Sequence, residues 1–260
     1  MSYVSLLRAE LLKLKRLPVT WVLAIIYSIA PLMVGFMMAV LKNPDLASKM
    51  GLLTAKAEMT IGGADWPTYL MISGYLFAGG MIVICIIVAF IFGREYVEGT
   101  AKYMLTLPVD RLAIVAAKLT VCSLWFVAMA ALVYGEAVGV GVILHLPGLR
   151  PGMLGDLAIL CVKLVGEVLL VSSVYAWITV ATRGYLAPVG LSVLLLLIGD
   201  LFAHTGWGAW VPWSIVLLTA NVGGTDAPVV RSSSIIVLVV CFLAGGAATW
   251  LTLDRVDNTQ

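Results

Sequence analysis

Charge is scarce in this sequence. Asp, Glu, Lys and Arg account for 12% of its 260 residues against 62% hydrophobic ones, so the polar coat that a water-soluble globule needs is missing. Only 2 histidines occur, and there is no H-E-x-x-H to hold zinc. The cysteines, Cys85, Cys122, Cys161 and Cys241, each stand alone in an apolar run without C-x-x-C spacing, which excludes a thiolate metal site or redox pair and leaves them as packing residues. There is no G-x-x-x-x-G-K-S/T loop and no soluble region large enough for a nucleotide-hydrolysing domain. G-x-S-x-G is absent as well, and Gly199-Asp200 lacks the first glycine of a G-x-G-D protease motif because position 197 is Leu. An enzyme is therefore not expected. A net charge of +2, with basic residues not gathered into one soluble patch, argues against a nucleic-acid partner.

What is present is length of apolar chain. Mean hydropathy is +1.07, and the hydrophobic residues fall into blocks that can cross a hydrocarbon core of roughly 30 Å, which takes about 20 helical residues. Six such segments are expected, near 18–41, 68–93, 112–144, 157–181, 186–204 and 233–253, each bounded by charge, Pro or Gly. The fold class is accordingly an all-α membrane protein, one transmembrane domain over 1–260, with the lipid bilayer as its solvent. The first run exceeds a signal h-region and lacks a small-x-small cleavage site, so it reads as a retained helix. The third run is longer than one crossing requires and should tilt or project. Ten basic residues, among them Arg8, Lys13, Arg94 and Lys118, flank the spans on one side, against Lys42, Lys49, Lys56, Arg150 and Arg231 on the other. By the positive-inside rule both termini are cytoplasmic.

Two segments outside the spans carry their own pattern. Within 1–17, Val4, Leu7, Leu11 and Leu14 line one helical stripe, with Arg8, Glu10, Lys13, Lys15 and Arg16 around the rest. This predicts an amphipathic helix lying at the inner membrane surface with its basic side chains toward headgroups. Within 205–232 the chain is apolar but broken by Gly, Pro212 and Pro228, and Trp207, Trp210 and Trp213 recur every third residue. An external re-entrant or interfacial hairpin between the fifth and sixth spans is expected.

The cytoplasmic connection, about 94–111, reads as helix, break, short helix, stop, helix. Gly99 permits a sharp bend, Thr100 caps a short helix from Ala101 to Leu107, Pro108 ends it and Asp110 caps the third span. The pattern E-x-x-x-G-T, then P-V-x-R, then a downstream Lys stands here as Glu95, Gly99, Thr100, Pro108, Val109, Arg111 and Lys118. It resembles the ABC type-2 transporter permeases over essentially the whole chain. The length and the LLRAELLKLKR opening are most similar to permeases of bacitracin-export and lantibiotic-immunity systems.

That resemblance implies the membrane subunit of an ATP-driven exporter in a bacterial-type plasma membrane, moving an amphipathic or membrane-active compound, such as a peptide antibiotic, outward. It implies a separate P-loop ATPase subunit that holds ATP and Mg, no cofactor in this chain, and a second permease subunit, identical or different. It also places ATPase coupling at the loop between the second and third spans, at Glu95, Glu98, Gly99, Thr100, Lys102, Pro108 and Arg111.

A second set of candidates interrupts the apolar helices: Glu136, Lys163, Glu167, Asp200 and His204. A charge at mid-membrane costs roughly 3 kcal/mol on insertion scales, so such groups should face protein or water. Lys163 and Glu167 lie about 10 and 16 Å along their helix from Asp156 and share a face, consistent with an internal ion pair. All five could meet in one layer, as a structural network or as the lining of a translocation path. A proton-coupled secondary transporter using these carboxylates is the alternative function, although the internally repeated halves usual for that class are not evident. Gly135 and Gly139 form a G-x-x-x-G that would allow close helix packing.

Overall fold

The computed structural model describes residues 3–43, 63–101, 109–222 and 228–257. Helix α1 (Tyr3–Arg16) precedes α2 (Pro18–Lys42), α3 (Trp66–Val97), α4 (Arg111–Ile143), α5 (Met153–Thr182) and α6 (Leu186–Ala203). A single 3-10 turn (Gly208–Trp210), α7 (Pro212–Thr219) and α8 (Ser232–Asp257) complete the order. Among the described residues six helices, α2 to α6 and α8, are long and apolar enough to cross a membrane.

Local chemistry sets the helix ends. Pro18 opens α2, and Leu17 before it is held extended (φ −79°, ψ 118°) because the proline ring crowds the helical region of the preceding residue. The elbow is closed by the Thr20 hydroxyl, which donates to the Leu14 carbonyl at 2.8 Å. Asp65 accepts from the Thr68 amide at 2.9 Å and caps α3, and Asp110 accepts from the Leu112 amide at 3.1 Å and caps α4, as its position in the sequence predicts. At the far end of α4, Lys42 donates to the carbonyls of Leu144 and His145 at 2.7 and 3.2 Å. A cation there satisfies orphan acceptors and opposes the negative end of the helix dipole.

Helix α3 is the centre of the bundle: 72% of its most apolar window is buried, against 17% for α8. It touches α2, α4, α5 and α6, while α8 lies against α5 and α4. Phe77, Ile84, Ile87 and Val88 of α3 share one core with Phe126 of α4 and Tyr175 of α5. The sequence pattern predicts one overlong span, yet α3 at 32 residues nearly equals α4 at 33. Both run to about 50 Å, well past a hydrocarbon core of roughly 30 Å. The caps at each end of α3 extend it beyond its apolar run.

Three expectations change in detail. The buried stripe of α1 is Leu6, Glu10 and Leu14, while Val4 and Leu11 are exposed; the helix turns a charged residue inward, for a reason given below. Among the described residues Gly135 and Gly139 would have no neighbour within 4 Å of an added Cβ, so the close approach expected of them is not made there. In the 205–232 segment, whose residues 223–227 lie outside the described set, the three tryptophans divide. Trp207 and Trp210 are exposed, whereas the Trp213 indole donates to the Tyr175 hydroxyl at 2.8 Å and α7 packs on α5, α6 and α8.

The glycine that does permit a close approach in α4 is Gly141, where an added Cβ would collide with the ring of Trp66. Trp66 is 2% exposed and joins Tyr69, Met38 and Leu146 in a second cluster at that end of the bundle. Gly141→Val should therefore destabilise the protein by about 1–3 kcal/mol through overpacking. Gly135→Val should be close to neutral, with thermal unfolding in detergent as the readout for both.

Candidate functional site

The end of α3 shows what the E-x-x-x-G-T spacing does. Gly99 has φ +68°, a left-handed conformation that glycine adopts without strain. From there the Gly99 amide donates to Tyr96 O at 3.2 Å and the Thr100 amide to Glu95 O at 2.8 Å. This is the Schellman arrangement, with Glu95 three residues from the helix end, Gly99 just beyond it and Thr100 next. The Thr100 hydroxyl, expected to cap a following short helix, donates to Glu95 O at 3.4 Å. That short helix, 101–107, falls largely on residues 102–108, which lie outside the described residues together with Lys102 and Pro108.

The same turn carries the Glu95 side chain inward. Lys118, one of the largest fully buried side chains at 2% exposure, donates to the carboxylate of Glu95 at 3.0 Å, to Glu10 at 3.3 Å and to the Ile91 carbonyl at 3.0 Å. An ammonium has three donors, and all three are used. Its nitrogen also lies 5.7 Å from the centre of the Phe92 ring, a favourable position for a cation. Lys13 then bridges the two acids from the outside, at 2.7 Å to Glu10 and 2.9 Å to Glu95.

Two carboxylates and two ammonium groups make the cluster neutral, which is the condition under which buried charge is tolerated. Burial works against the charge of Lys13, but the attraction of Glu95 and Glu10 outweighs it and holds the ammonium above its ordinary pKa. The cluster joins three elements: α1 through Glu10 and Lys13, α3 through Glu95, and α4 through Lys118. It explains why α1 buries Glu10. Beside it a cleft of about 400 Å³ opens between α1 and the end of α3, lined in part by Lys13, Arg94, Glu95, Glu98 and Thr100.

Glu95 and Glu98, grouped together by the family resemblance, are therefore unlike. Glu95 is 7% exposed and buried in the cluster, whereas the Glu98 carboxylate is half-exposed and accepts from Arg94 at 2.8 Å, one turn back. Arg111 is the first residue of α4. The sequence pattern alone places Glu10 and Lys13 on the polar side of α1, away from its apolar stripe. The signal that could have drawn them in is Lys118, a lysine in an otherwise apolar stretch of helix that must find a counter-charge.

The five intramembrane candidates have these partners among the described residues. Glu167 of α5 accepts from the Thr219 hydroxyl of α7 at 2.8 Å. Lys163 is exposed and forms no ion pair with Glu167 among the described residues. Asp200 and His204 sit one turn apart on α6, both about half-exposed, with 3.9 Å between them. Glu136 is partly buried on α4. Among the described residues no hydrogen bond joins any two of Glu136, Lys163 and Glu167, and the one ion pair within the five is Asp200–His204.

Residues 6–199 match the family model described as ABC-2 family transporter protein. A relative, the bacitracin transport permease protein BCRB of Bacillus licheniformis, is 25% identical over 182 residues, which span 66% of this chain and 82% of that protein.

Lys118→Met leaves two buried carboxylates short of a counter-charge and should destabilise the protein by about 3–5 kcal/mol. Adding Glu95→Gln should restore part of that loss. Glu98→Ala removes only a surface pair and should change stability by less than about 1 kcal/mol. Thermal unfolding of the purified variants in detergent, arranged as a double-mutant cycle, measures all three.

Proposed function

The chain belongs to the ABC-2 transporter family, and from that premise we propose that it is driven by a separate P-loop ATPase subunit, which holds ATP and Mg. It is a multi-pass permease subunit of the plasma membrane. The observation that carries the mechanism is the buried Glu10–Lys13–Glu95–Lys118 cluster. The partner acts at the cytoplasmic connection between α3 and α4. The cluster lies where that connection leaves α3, so displacement there moves α1, α3 and α4 together. A flexible junction would absorb the stroke, whereas four mutually paired charges in a low-dielectric setting resist shear.

In this reading both termini are cytoplasmic, and the pathway forms between two permease subunits that shift between closed and open arrangements. The kinship with a bacitracin transport permease favours an amphipathic or membrane-active cargo, such as a peptide antibiotic, moved outward. Glu98, exposed at the mouth of the cleft, offers a contact for the ATPase, while Glu95 acts behind it as a positioning residue. Glu167, bonded to Thr219, serves helix register. The proton-coupled alternative gains no support, since among the described residues Glu136, Glu167 and Asp200 share no hydrogen bond with one another.

The test is purification in mild detergent from the native host, followed by ATPase assay of the intact complex. A P-loop ATPase should be recovered in stoichiometric amount. Glu98→Ala should weaken its association with little loss of folded permease. Glu95→Gln should leave association in place but abolish stimulation of hydrolysis by cargo. Recovery of no ATPase, with export driven by a proton gradient alone, would overturn the assignment.

A further inference from the structure

A groove of about 600 Å³ runs under α1, between it, the start of α2 and the middle of α4. We propose that this groove is a discrete binding site for one anionic phospholipid of the leaflet in which α1 lies. The site is independent of which compound the bundle transports.

The geometry of α1 divides it into two faces. Leu6, Glu10 and Leu14 follow the four-residue step of one face and are buried. Arg8, Leu11, Leu12 and Lys15 occupy the other side and are exposed. Arg8 and Lys15 are seven residues apart, almost two full turns, so they project on one side about 10 Å from each other along the axis, with the two leucines between them. The groove beneath is walled by Trp21 and Ala24 of α2 and by Trp125 and Met129 of α4.

Its polar groups are already satisfied. The Trp21 indole donates to Lys15 O at 3.1 Å, and the Thr20 hydroxyl donates to Leu14 O. What remains is an apolar trough with two cations at its rim. Neither Arg8 nor Lys15 takes part in an ion pair among the described residues, in contrast to Lys13 and Lys118 on the other face. An acyl chain fits the trough, and a phosphate with a net negative headgroup fits the rim. A zwitterionic lipid fills the trough but gains less from the rim, and a cationic or neutral amphiphile opposes the two cations with nothing.

The test uses the purified permease complex, delipidated in detergent and titrated with phosphatidylglycerol or phosphatidylcholine, with bound lipid counted by native mass spectrometry. The wild type should retain one phosphatidylglycerol per permease in preference to phosphatidylcholine. Arg8→Gln combined with Lys15→Gln should weaken phosphatidylglycerol roughly thirty-fold, the scale expected from two surface cations, and leave phosphatidylcholine unchanged. Ala24→Phe, which fills the trough and keeps both cations, should weaken both lipids. Equal retention of the two lipids by the wild type, or phosphatidylglycerol binding indifferent to the charge variant or to Ala24→Phe, overturns the proposal. Displacement of the lipid by bacitracin, with bacitracin binding insensitive to the charge variant, would assign the groove to cargo and overturn it equally.

Discussion

The ammonium of Lys118 is the constraint around which one end of this protein is organised. It sits on a membrane helix at 2% exposure, where an unpaired charge would be costly. Its needs are met from three directions, by Ile91 O on α3, Glu95 on α3 and Glu10 on α1. Once two carboxylates serve one lysine a negative charge is left over, and Lys13 supplies the missing cation. Each member is required by the others, so α1 cannot leave the bundle without stranding charge in an apolar setting.

This interdependence gives α1 two roles from one sequence. The face that carries Glu10 is a structural part of the bundle, and the face that carries Arg8, Leu11, Leu12 and Lys15 remains exposed. A surface helix held only by its apolar stripe would slide in the headgroup region. One held by buried charge keeps its register with α3 and α4, and with it the position of the groove beneath. The charged cleft and the groove share Leu14 in their walls, so they adjoin along the same helix.

Glu95 separates what is local in this fold from what is not. The E-x-x-x-G-T pattern was legible as a helix end, and Gly99 and Thr100 behave as such. The family resemblance groups two acids there, Glu95 and Glu98. They differ because Glu95 lies within α3 against Lys118 and Lys13, whereas Glu98 is the residue that caps the helix end and pairs with Arg94. Likewise Glu136, Glu167 and Asp200 were placed at similar depth by counting residues along their helices. Counting gives height but not azimuth, and azimuth decided that Glu167 would meet Thr219 while Asp200 paired one turn along its own helix with His204.

Sequence alone determined the elements that depend on local chemistry: six apolar runs of spanning length, the cap at Asp110, the break before Pro18 and the sharp bend at Gly99. These follow from hydropathy, backbone sterics and hydrogen bonds between near neighbours, all of which are written within a few residues. Tertiary structure alone decided which side of each helix faces which partner. It turned Glu10 inward, brought Lys118 to Glu95, set Trp213 against Tyr175, and among the described residues packed Trp66 on Gly141 and not on Gly135 or Gly139. In a bundle whose helices are apolar on nearly every side, hydrophobic periodicity no longer marks an inner face. The few buried charges and close glycine contacts set rotation instead, and their partners lie far away in sequence.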